Sequence, residues 1–191
     1  MKDDILNELR SQYGIEITNI TAIENNDVFN TLLSRLNWFF SRSPLSSYVL
    51  FNTSKIGTII GTDEGYIFRD HQCITFSLND GSFIRFSPDE TDGIDITRVF
   101  VNKDARGKGV GKMLMGTLFS FFLLTIGHIP KLTLECTGSL GLGINEESIT
   151  IDSQIKFFEK LGFKLVYEAN NHSYVKMEFC GEEKDVNSYL K

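Results

Sequence analysis

The stretch from Ile94 to Leu123 constrains the fold more than any other part of this chain. The run from Ile94 to Val101 is rich in β-branched residues and alternates apolar with polar side chains, which predicts a half-buried strand. A turn with three glycines follows, and from Met113 onward apolar residues recur at helical spacing. The chain is therefore predicted to form a strand, a glycine-rich turn and a buried helix in immediate succession.

The glycine-rich turn, residues 106–112, is predicted to bind an anion. The first backbone N–H groups of a helix lack intrahelical acceptors, and the helix dipole adds roughly half a positive charge there. Four basic residues and one acid lie between Lys103 and Lys112, although the whole chain has a net charge of −6. A compact polyanion fits this local charge, and a solvated basic turn is the alternative.

Two common phosphate-binding loops do not fit this turn. A dinucleotide-binding G-x-G-x-x-G motif would need a glycine at Lys112 or at Leu114. A Walker A loop ending at Lys112 would need a hydroxyl side chain at Met113. The pattern that remains is R-x-x-G-x-G, formed by Arg106, Gly109 and Gly111.

This pattern and the order of the elements around it resemble the acetyl-CoA loop of the GNAT superfamily of N-acetyltransferases. The family order is strand, loop, helix, strand, a helix ending in Gly-Phe, and two last strands. The matching segments are 94–101, 106–112, the helix after it, 131–136, 152–161 followed by Gly162-Phe163, 164–168 and 174–179. The resemblance covers about half of the chain. It implies an α/β fold in a single domain over residues 1–191, with a central mixed, mostly antiparallel sheet flanked by helices.

The resemblance also implies that acetyl-CoA binds and that its acetyl group moves to a primary amine. Coenzyme-binding positions carried over from the family motif are Val99, Phe100, Val101, Arg106, Gly107, Lys108, Gly109, Val110, Gly111 and Lys112. Backbone N–H groups near residues 99–101 would stabilise the oxyanion. Asp152 replaces the asparagine that contacts the pantetheine arm. No metal is implied, and the acceptor, a small-molecule or peptide amine, is not specified.

Asp95 is the predicted general base. It lies eleven residues before Arg106, where some family members carry the carboxylate that deprotonates the amine. Thr97 and Glu135 are weaker candidates, and a structural salt bridge is the alternative role for Asp95. The tyrosine that usually acts as the general acid is absent, because Phe158 stands at its position. Two other functions therefore stay open, namely a catalytically idle acyl-CoA-binding module and a transferase of another acyl group.

Charge, cysteine content and the N-terminal sequence indicate which partners and which cellular compartment to expect. A net charge of −6 and a pI near 5.1 argue against a nucleic-acid surface. Three widely spaced cysteines predict no disulfide framework, and the N-terminus has no signal-peptide character, so we expect a cytoplasmic protein. The uncharged segment from Met113 to Ile129 predicts a buried helix and not a membrane span. Its outer side would be covered by the N-terminal helices or by a second subunit in a homodimer.

The N-terminal segment is predicted to form two helices, at residues 3–13 and 27–41, with a short strand at 15–20 between them. The aromatic residues of the second helix, Trp38, Phe39 and Phe40, would either line the acceptor cleft or pack in the core.

A meander of five strand-like segments is predicted between Ser47 and Pro88. Turn signals separate these segments at Thr53-Ser54, Asp63-Glu64-Gly65 and Asn79-Asp80-Gly81.

Three further segments are predicted to be loops. The acidic loop at residues 89–93 would attract a cationic acceptor, or it is a solvated turn. A second glycine-rich loop, residues 137–143, has no basic residue and is predicted to act as a lid or acceptor-binding loop. The polar tail at residues 181–191 is predicted to be loosely held.

Overall fold

The computed structural model of the protein describes residues 17–22, 26–42, 49–62, 65–88, 93–137, 149–169 and 174–180. The strands in these ranges are β1 Ile17–Ala22, β2 Val49–Thr62, β3 Gly65–Leu78, β4 Phe83–Pro88, β5 Ile94–Phe100, β6 Leu132–Thr137, β7 Phe163–Glu168 and β8 Tyr174–Phe179. The helices are α1 Asn26–Arg42, α2 Val110–Ile126 and α3 Ile151–Glu159. The predicted order of elements from the central strand to the last strand is confirmed.

All of these strands belong to one sheet with the order β1-β3-β4-β5-β6-β8-β7, and β2 pairs with β3 outside this path. The pairs β1–β3 and β5–β6 are parallel, and the other strand pairs of the described chain are antiparallel. Helix α2 supplies the crossover that a parallel β5–β6 pair requires. The predicted α/β fold with a mixed, mostly antiparallel sheet is confirmed.

The predicted meander is wrong in its number of strands. Three strands, β2, β3 and β4, replace the five predicted segments, and β2 and β3 are 14 residues long each. No turn forms at Thr53-Ser54, because these residues pair with Ile74 and Cys73 in the β2–β3 ladder. Strand pairing over long range outweighs a weak local turn signal, and threonine is itself favoured in strands. The chain reverses after Thr62 and again at residues 79–81, as predicted.

Register divides the sheet into an apolar and a polar face. One row of cross-strand neighbours is buried and apolar, and we call its side the helix face: Ile74, Phe86, Ile96, Leu134 and Met177. Side chains alternate along a strand, so the neighbouring positions point to the opposite side. This second side, called the polar face, carries Thr75, Arg85, Ser87, Asp95, Thr133, Glu135 and Lys176.

The described helices pack on the helix face through aromatic rings. Phe39 of α1 meets Phe121 of α2 with 5.7 Å between ring centroids, and Phe121 meets Phe76 of β3 at 6.2 Å. Both contacts are edge-to-face, a geometry that aromatic quadrupoles favour. At the other end of the sheet, Phe158 of α3 meets Phe163 of β7 at 5.6 Å. The core therefore lies between the helix face and the three helices.

Helix α2 is buried around its whole circumference. Each residue from Leu114 to Phe122 is buried, and such a run covers more than two turns of helix. Helix α1 covers part of the outer side through the contact between Phe39 and Phe121. The predicted cover by a neighbouring helix is thus confirmed in part, and a homodimer stays a prediction. None of the described helices is long and apolar enough to cross a membrane.

The aromatic residues of α1 take different positions. Phe39 and Phe40 are core residues, whereas Trp38 is 45% exposed, with the Arg42 guanidinium 4.7 Å from its ring centroid. The prediction that these aromatic residues pack in the core is therefore confirmed for Phe39 and Phe40. The helix predicted at residues 3–13, most of the acidic loop, most of the second glycine-rich loop and the tail lie outside the described residues.

We expect Phe121→Ala to lower the free energy of unfolding by about 3–5 kcal/mol, because it leaves a cavity where α1, α2 and β3 meet. Leu124→Ala is the matched control on the same helix, since Leu124 is 65% exposed, and its effect should stay within about 0.5 kcal/mol. Urea unfolding followed by circular dichroism measures both. Equal losses in the two variants would contradict the described packing of α2.

Candidate functional site

Strands β5 and β6 pair over a short distance and then separate. Residues 94–96 of β5 pair with residues 132–134 of β6. Beyond these pairs, β5 continues along β4 to Phe100, and β6 continues along β8 to Thr137. An opening, here called the strand gap, lies between the second halves of β5 and β6. The backbone of β5 in this half faces the gap without pairing to β6.

A β-bulge in β5 accompanies the separation. Arg98 pairs with Arg85 of β4 and Ile96 pairs with Phe86, so Thr97 is the extra residue. The Thr97 hydroxyl donates a hydrogen bond to the Arg85 carbonyl at 3.3 Å. A bulge bends its strand and increases the local twist, which turns β5 away from the course of β6.

The turn after β5 exposes the first turn of α2. The Met113 N–H donates to the Gly109 carbonyl at 2.9 Å, so the N–H groups of Val110 and Gly111 precede the hydrogen-bond ladder of the helix. Gly109 precedes the helix with a φ of 81°, a left-handed conformation that favours glycine, and no side chain caps the helix there. The start of α2 therefore has the backbone arrangement of helix N-termini that bind anions, and the predicted anion-binding role of this turn stays a prediction.

Hydrogen bonds fix this turn to the neighbouring β3–β4 hairpin. The Asn102 side chain donates to the Asp80 carbonyl at 2.7 Å, and the Asn102 backbone N–H donates to the buried Ser82 hydroxyl at 3.0 Å. The Nε of Arg106 donates to the Val101 carbonyl at 3.2 Å. The turn is therefore held in place by groups that belong to the sheet.

Gly111 has a packing role that differs from that of Gly109. A Cβ atom at Gly111 would lie 3.0 Å from the Phe157 ring of α3 and 3.4 Å from the Val101 side chain. A Cβ at Gly109 would meet nothing within 4 Å. In the R-x-x-G-x-G pattern, Gly111 therefore allows α3 to pack closely on α2, and Gly109 allows the left-handed backbone conformation before α2.

Asp95 is half-buried on the polar face, at the point where β5 and β6 separate. Its Oδ1 accepts a hydrogen bond from the Thr133 hydroxyl at 3.0 Å. Ser87 is its cross-strand neighbour on β4. The strand ladder and the threonine together orient the carboxylate.

Four polar side chains surround the buried thiol of Cys73, next to Asp95. Burial raises the pKa of Cys73 to about 11, the positive charge of Arg85 opposes this rise, and the negative charge of Asp95 adds to it. The hydroxyl groups of Ser87 and Thr97 also oppose the rise of this pKa. Asp95 and Arg85 therefore act on the same small region of the polar face.

Tyr174 and Glu135 lie on the β6–β8 side of the strand gap. The Tyr174 hydroxyl donates to Glu135 Oε1 at 2.7 Å. Burial, this hydrogen bond and the negative charges of Glu135 and Asp95 raise the pKa of Tyr174 above its ordinary value. Sequence reasoning identified Glu135 as a weaker candidate base but missed Tyr174, which lies in a strand without a motif around it.

Phe158, at the position of the family tyrosine, points into the core. It is 7% exposed and packs against Phe157 at 5.0 Å and Phe163 at 5.6 Å between ring centroids. The aromatic residue of α3 that reaches the turn is Phe157, through its contact at Gly111. The side chain of Phe158 cannot donate a proton.

The predicted coenzyme-binding residues of β5 and its turn form one continuous region. Val99, Phe100 and Val101 border the strand gap, and residues 106–112 form the turn that follows it. Asp152 is exposed in the first turn of α3, the helix that packs on the start of α2. The structure brings residues 99–101 and 106–112 together and places Asp152 on the helix that contacts Gly111, and the roles of all these residues stay predictions.

A family model described as an acetyltransferase (GNAT) domain matches residues 54–165, which is more than half of the 191 residues. The chain therefore belongs to the GNAT acetyltransferase family. The resemblance inferred from the R-x-x-G-x-G pattern and the order of elements is confirmed. A comparison with curated proteins gives no match.

Solved structures with similarity to this chain include several acetyltransferases. A putative streptothricin acetyltransferase from Bacillus anthracis, in complex with acetyl coenzyme A, is 16% identical; the alignment covers 75% of this chain and 92% of that one, with a TM-score of 0.41. A GNAT family acetyltransferase from Elizabethkingia anophelis with acetyl-CoA bound is 12% identical, over 69% and 97% of the two chains, with a TM-score of 0.41. The ribosomal-protein-S18-alanine N-acetyltransferase from Escherichia coli is 17% identical, over 56% and 66%, with a TM-score of 0.38.

The cysteines test the described burial and pKa values. Burial raises the pKa of Cys73 and of Cys136 to about 11, and Cys180 is exposed. Because the thiolate is the reactive form, a thiol reagent at pH 8 should label Cys180 first and the other two at least ~100-fold more slowly. Mass spectrometry measures the rates, and Cys180→Ser should remove the fast phase.

The same two thiols predict a dependence of stability on pH. Each has a folded-state pKa above its ordinary value of 9.0, so the folded chain keeps a proton that the unfolded chain releases. Their stabilising contribution is present below pH 9 and is lost as the pH rises to 11. In the labelling experiment above, a fast phase that persists in Cys180→Ser would contradict the described burial of Cys73 or Cys136.

Proposed function

We propose that the protein is an acetyl-CoA-dependent N-acetyltransferase that acetylates a primary amine. One observation carries the proposal: the anion-binding start of α2, the strand gap and Asp95 follow one another along a continuous path on β5 and its turn. Family membership supports acetyltransferase activity in general. The geometry supports the choice of coenzyme and the amine chemistry.

The pyrophosphate of acetyl-CoA binds at the turn formed by residues 106–112. The N–H groups of Val110 and Gly111 point out of the start of α2, and four basic residues lie between Lys103 and Lys112. The pantetheine arm enters the strand gap, where the β5 backbone at residues 99–101 offers hydrogen-bonding groups that β6 does not use. Asp152 reaches the same arm from α3.

Asp95 removes a proton from the ammonium form of the acceptor, and the neutral amine attacks the thioester carbonyl. A C–N bond forms, and backbone N–H groups at residues 99–101 stabilise the tetrahedral oxyanion. The nitrogen releases its second proton to water as the C–S bond breaks, and the coenzyme leaves as a thiolate. Since the ordinary pKa of a thiol is about 8.5, water suffices to protonate it near neutral pH, which is consistent with a phenylalanine at position 158.

Acetyl-CoA at a hundredfold excess over its dissociation constant should stabilise the protein by ~2.7 kcal/mol. Gly109→Asp should weaken coenzyme binding at least tenfold, because it places a negative charge beside the pyrophosphate. Gly127→Asp is the matched control: Gly127 has the same left-handed conformation and open surroundings at the other end of α2. Isothermal titration calorimetry measures both affinities. Coenzyme affinity that is unchanged in Gly109→Asp would refute the site.

Asp95→Asn should lower turnover by roughly 10²–10⁴ and leave coenzyme affinity unchanged, the usual scale for losing a general base. The acid limb of the wild-type pH–rate profile should disappear in the variant. Glu178→Gln is the control on the same sheet, because Glu178 forms a salt bridge with Lys131 at 2.8 Å, and turnover should hardly change. Loss of folding in Asp95→Asn would favour the salt-bridge role, and a folded variant with the wild-type pH profile would exclude Asp95 as the titrating group.

A further inference from the structure

Two arginines lie directly opposite each other on the polar face, close to Asp95. Arg85 of β4 and Arg98 of β5 are cross-strand partners. Like charges in such positions destabilise a sheet. Among the described residues, a salt bridge joins Lys131 to Glu178, and no described carboxylate forms a salt bridge with Arg85 or Arg98. The sheet therefore keeps an arrangement that costs stability in the absence of an anion.

The two guanidinium groups converge on one aromatic ring. They lie 5.3 Å and 5.9 Å from the ring centroid of Phe83, which in turn stacks on Phe100 at 5.5 Å. Arg85 Nε also donates to the Thr75 hydroxyl at 3.2 Å. Each guanidinium has five N–H donors, so most of them are available to a ligand. Cation–π contact and the threonine hold the charges in place before a ligand arrives.

Arg85, Arg98 and Asp95 lie on the same polar face of the sheet. Arg98 follows Asp95 by three residues, so at ~3.3 Å per residue and with a bulge between them their Cα atoms are roughly 7–10 Å apart. The guanidinium groups extend further along the face, to the Phe83 ring in the next cross-strand row. The charges of Arg85 and Asp95 both act on the thiol of Cys73. A short molecule can therefore contact the carboxylate with one end and the arginines with the other.

We propose that Arg85 and Arg98 bind a carboxylate of the acceptor, so that the substrate carries a reacting amine at one end and a carboxylate at the other. This inference rests on the proposed N-acetyltransferase function and names its substrate class. The planar guanidinium matches a carboxylate through two parallel hydrogen bonds. An ω-amino acid has these two ends. The acidic loop had indicated a cationic acceptor, whereas the arginine pair selects an acceptor with an anionic end.

Acceptors of equal chain length test this proposal. 6-Aminohexanoate, hexylamine and 1,6-diaminohexane offer an anionic, a neutral and a cationic end at the same distance from one amine. We expect kcat/KM for 6-aminohexanoate to exceed that for hexylamine about tenfold or more, and that for the diamine to be lowest. 6-Aminohexylphosphonate distinguishes a carboxylate site from a phosphate site, and a stronger preference for it would overturn the carboxylate assignment.

Arginine variants link the preference to the two side chains. Arg85→Gln and Arg98→Gln should each raise KM for 6-aminohexanoate about tenfold and leave hexylamine unchanged. Arg98→Lys should recover part of the affinity, because it restores the charge without the planar fork. Arg42→Gln is the matched control: Arg42 also lies over an aromatic ring, 4.7 Å from the Trp38 centroid, but on α1, and its KM should not change.

Two results would overturn the arginine site and leave N-acetylation standing. One is equal acetylation of hexylamine and 6-aminohexanoate. The other is an arginine variant that raises KM for acetyl-CoA in place of KM for the acceptor. If no amine is acetylated, the proposed function fails, and calorimetric titration of 6-aminohexanoate into the CoA-saturated protein decides the site separately. Binding that Arg98→Gln abolishes supports the site, and absence of binding to the wild type overturns it.

Discussion

The short pairing of β5 with β6 is the constraint on which the site depends. The two strands are neighbours for residues 94–96 and 132–134, and then each follows a different partner. A parallel ladder that ends early leaves backbone groups of β5 facing an opening inside the sheet, and unpaired backbone groups are costly unless a ligand or water satisfies them. The sheet therefore provides hydrogen-bonding groups for a ligand without a dedicated loop.

Helix α2 holds this opening in position. Its aromatic residues pack on the helix face and under α1, so the helix cannot shift along the sheet without breaking the Phe39–Phe121 and Phe76–Phe121 contacts. At its start, the contact of Phe157 with Gly111 ties α3 to the same point. Asn102 connects the turn to the β3–β4 hairpin. Core packing thus determines where the N–H groups at the start of α2 lie relative to Asp95.

The polar face carries the candidate catalytic side chains because side chains alternate along each strand. Asp95, Glu135 and Tyr174 come from three strands, and the register brings them to the polar face of the sheet, on the two sides of the strand gap. The same register brings Arg85 opposite Arg98. Neither arginine belongs to a motif, and their sequence separation of 13 residues has no periodic meaning, so only strand pairing could reveal them.

The sequence by itself determined the strand, turn and helix from Ile94 onward, because alternation, glycine spacing and helical periodicity are local properties of the chain. It also indicated Asp95 as the candidate general base and residues 106–112 as the candidate anion-binding turn. Tertiary structure decided what depends on pairing over long range: the continuous β2–β3 hairpin through Thr53, the bulge at Thr97, and the packing reason for Gly111. Local patterns carry no information on which strands become neighbours, and strand neighbours decide the polar face and its charges.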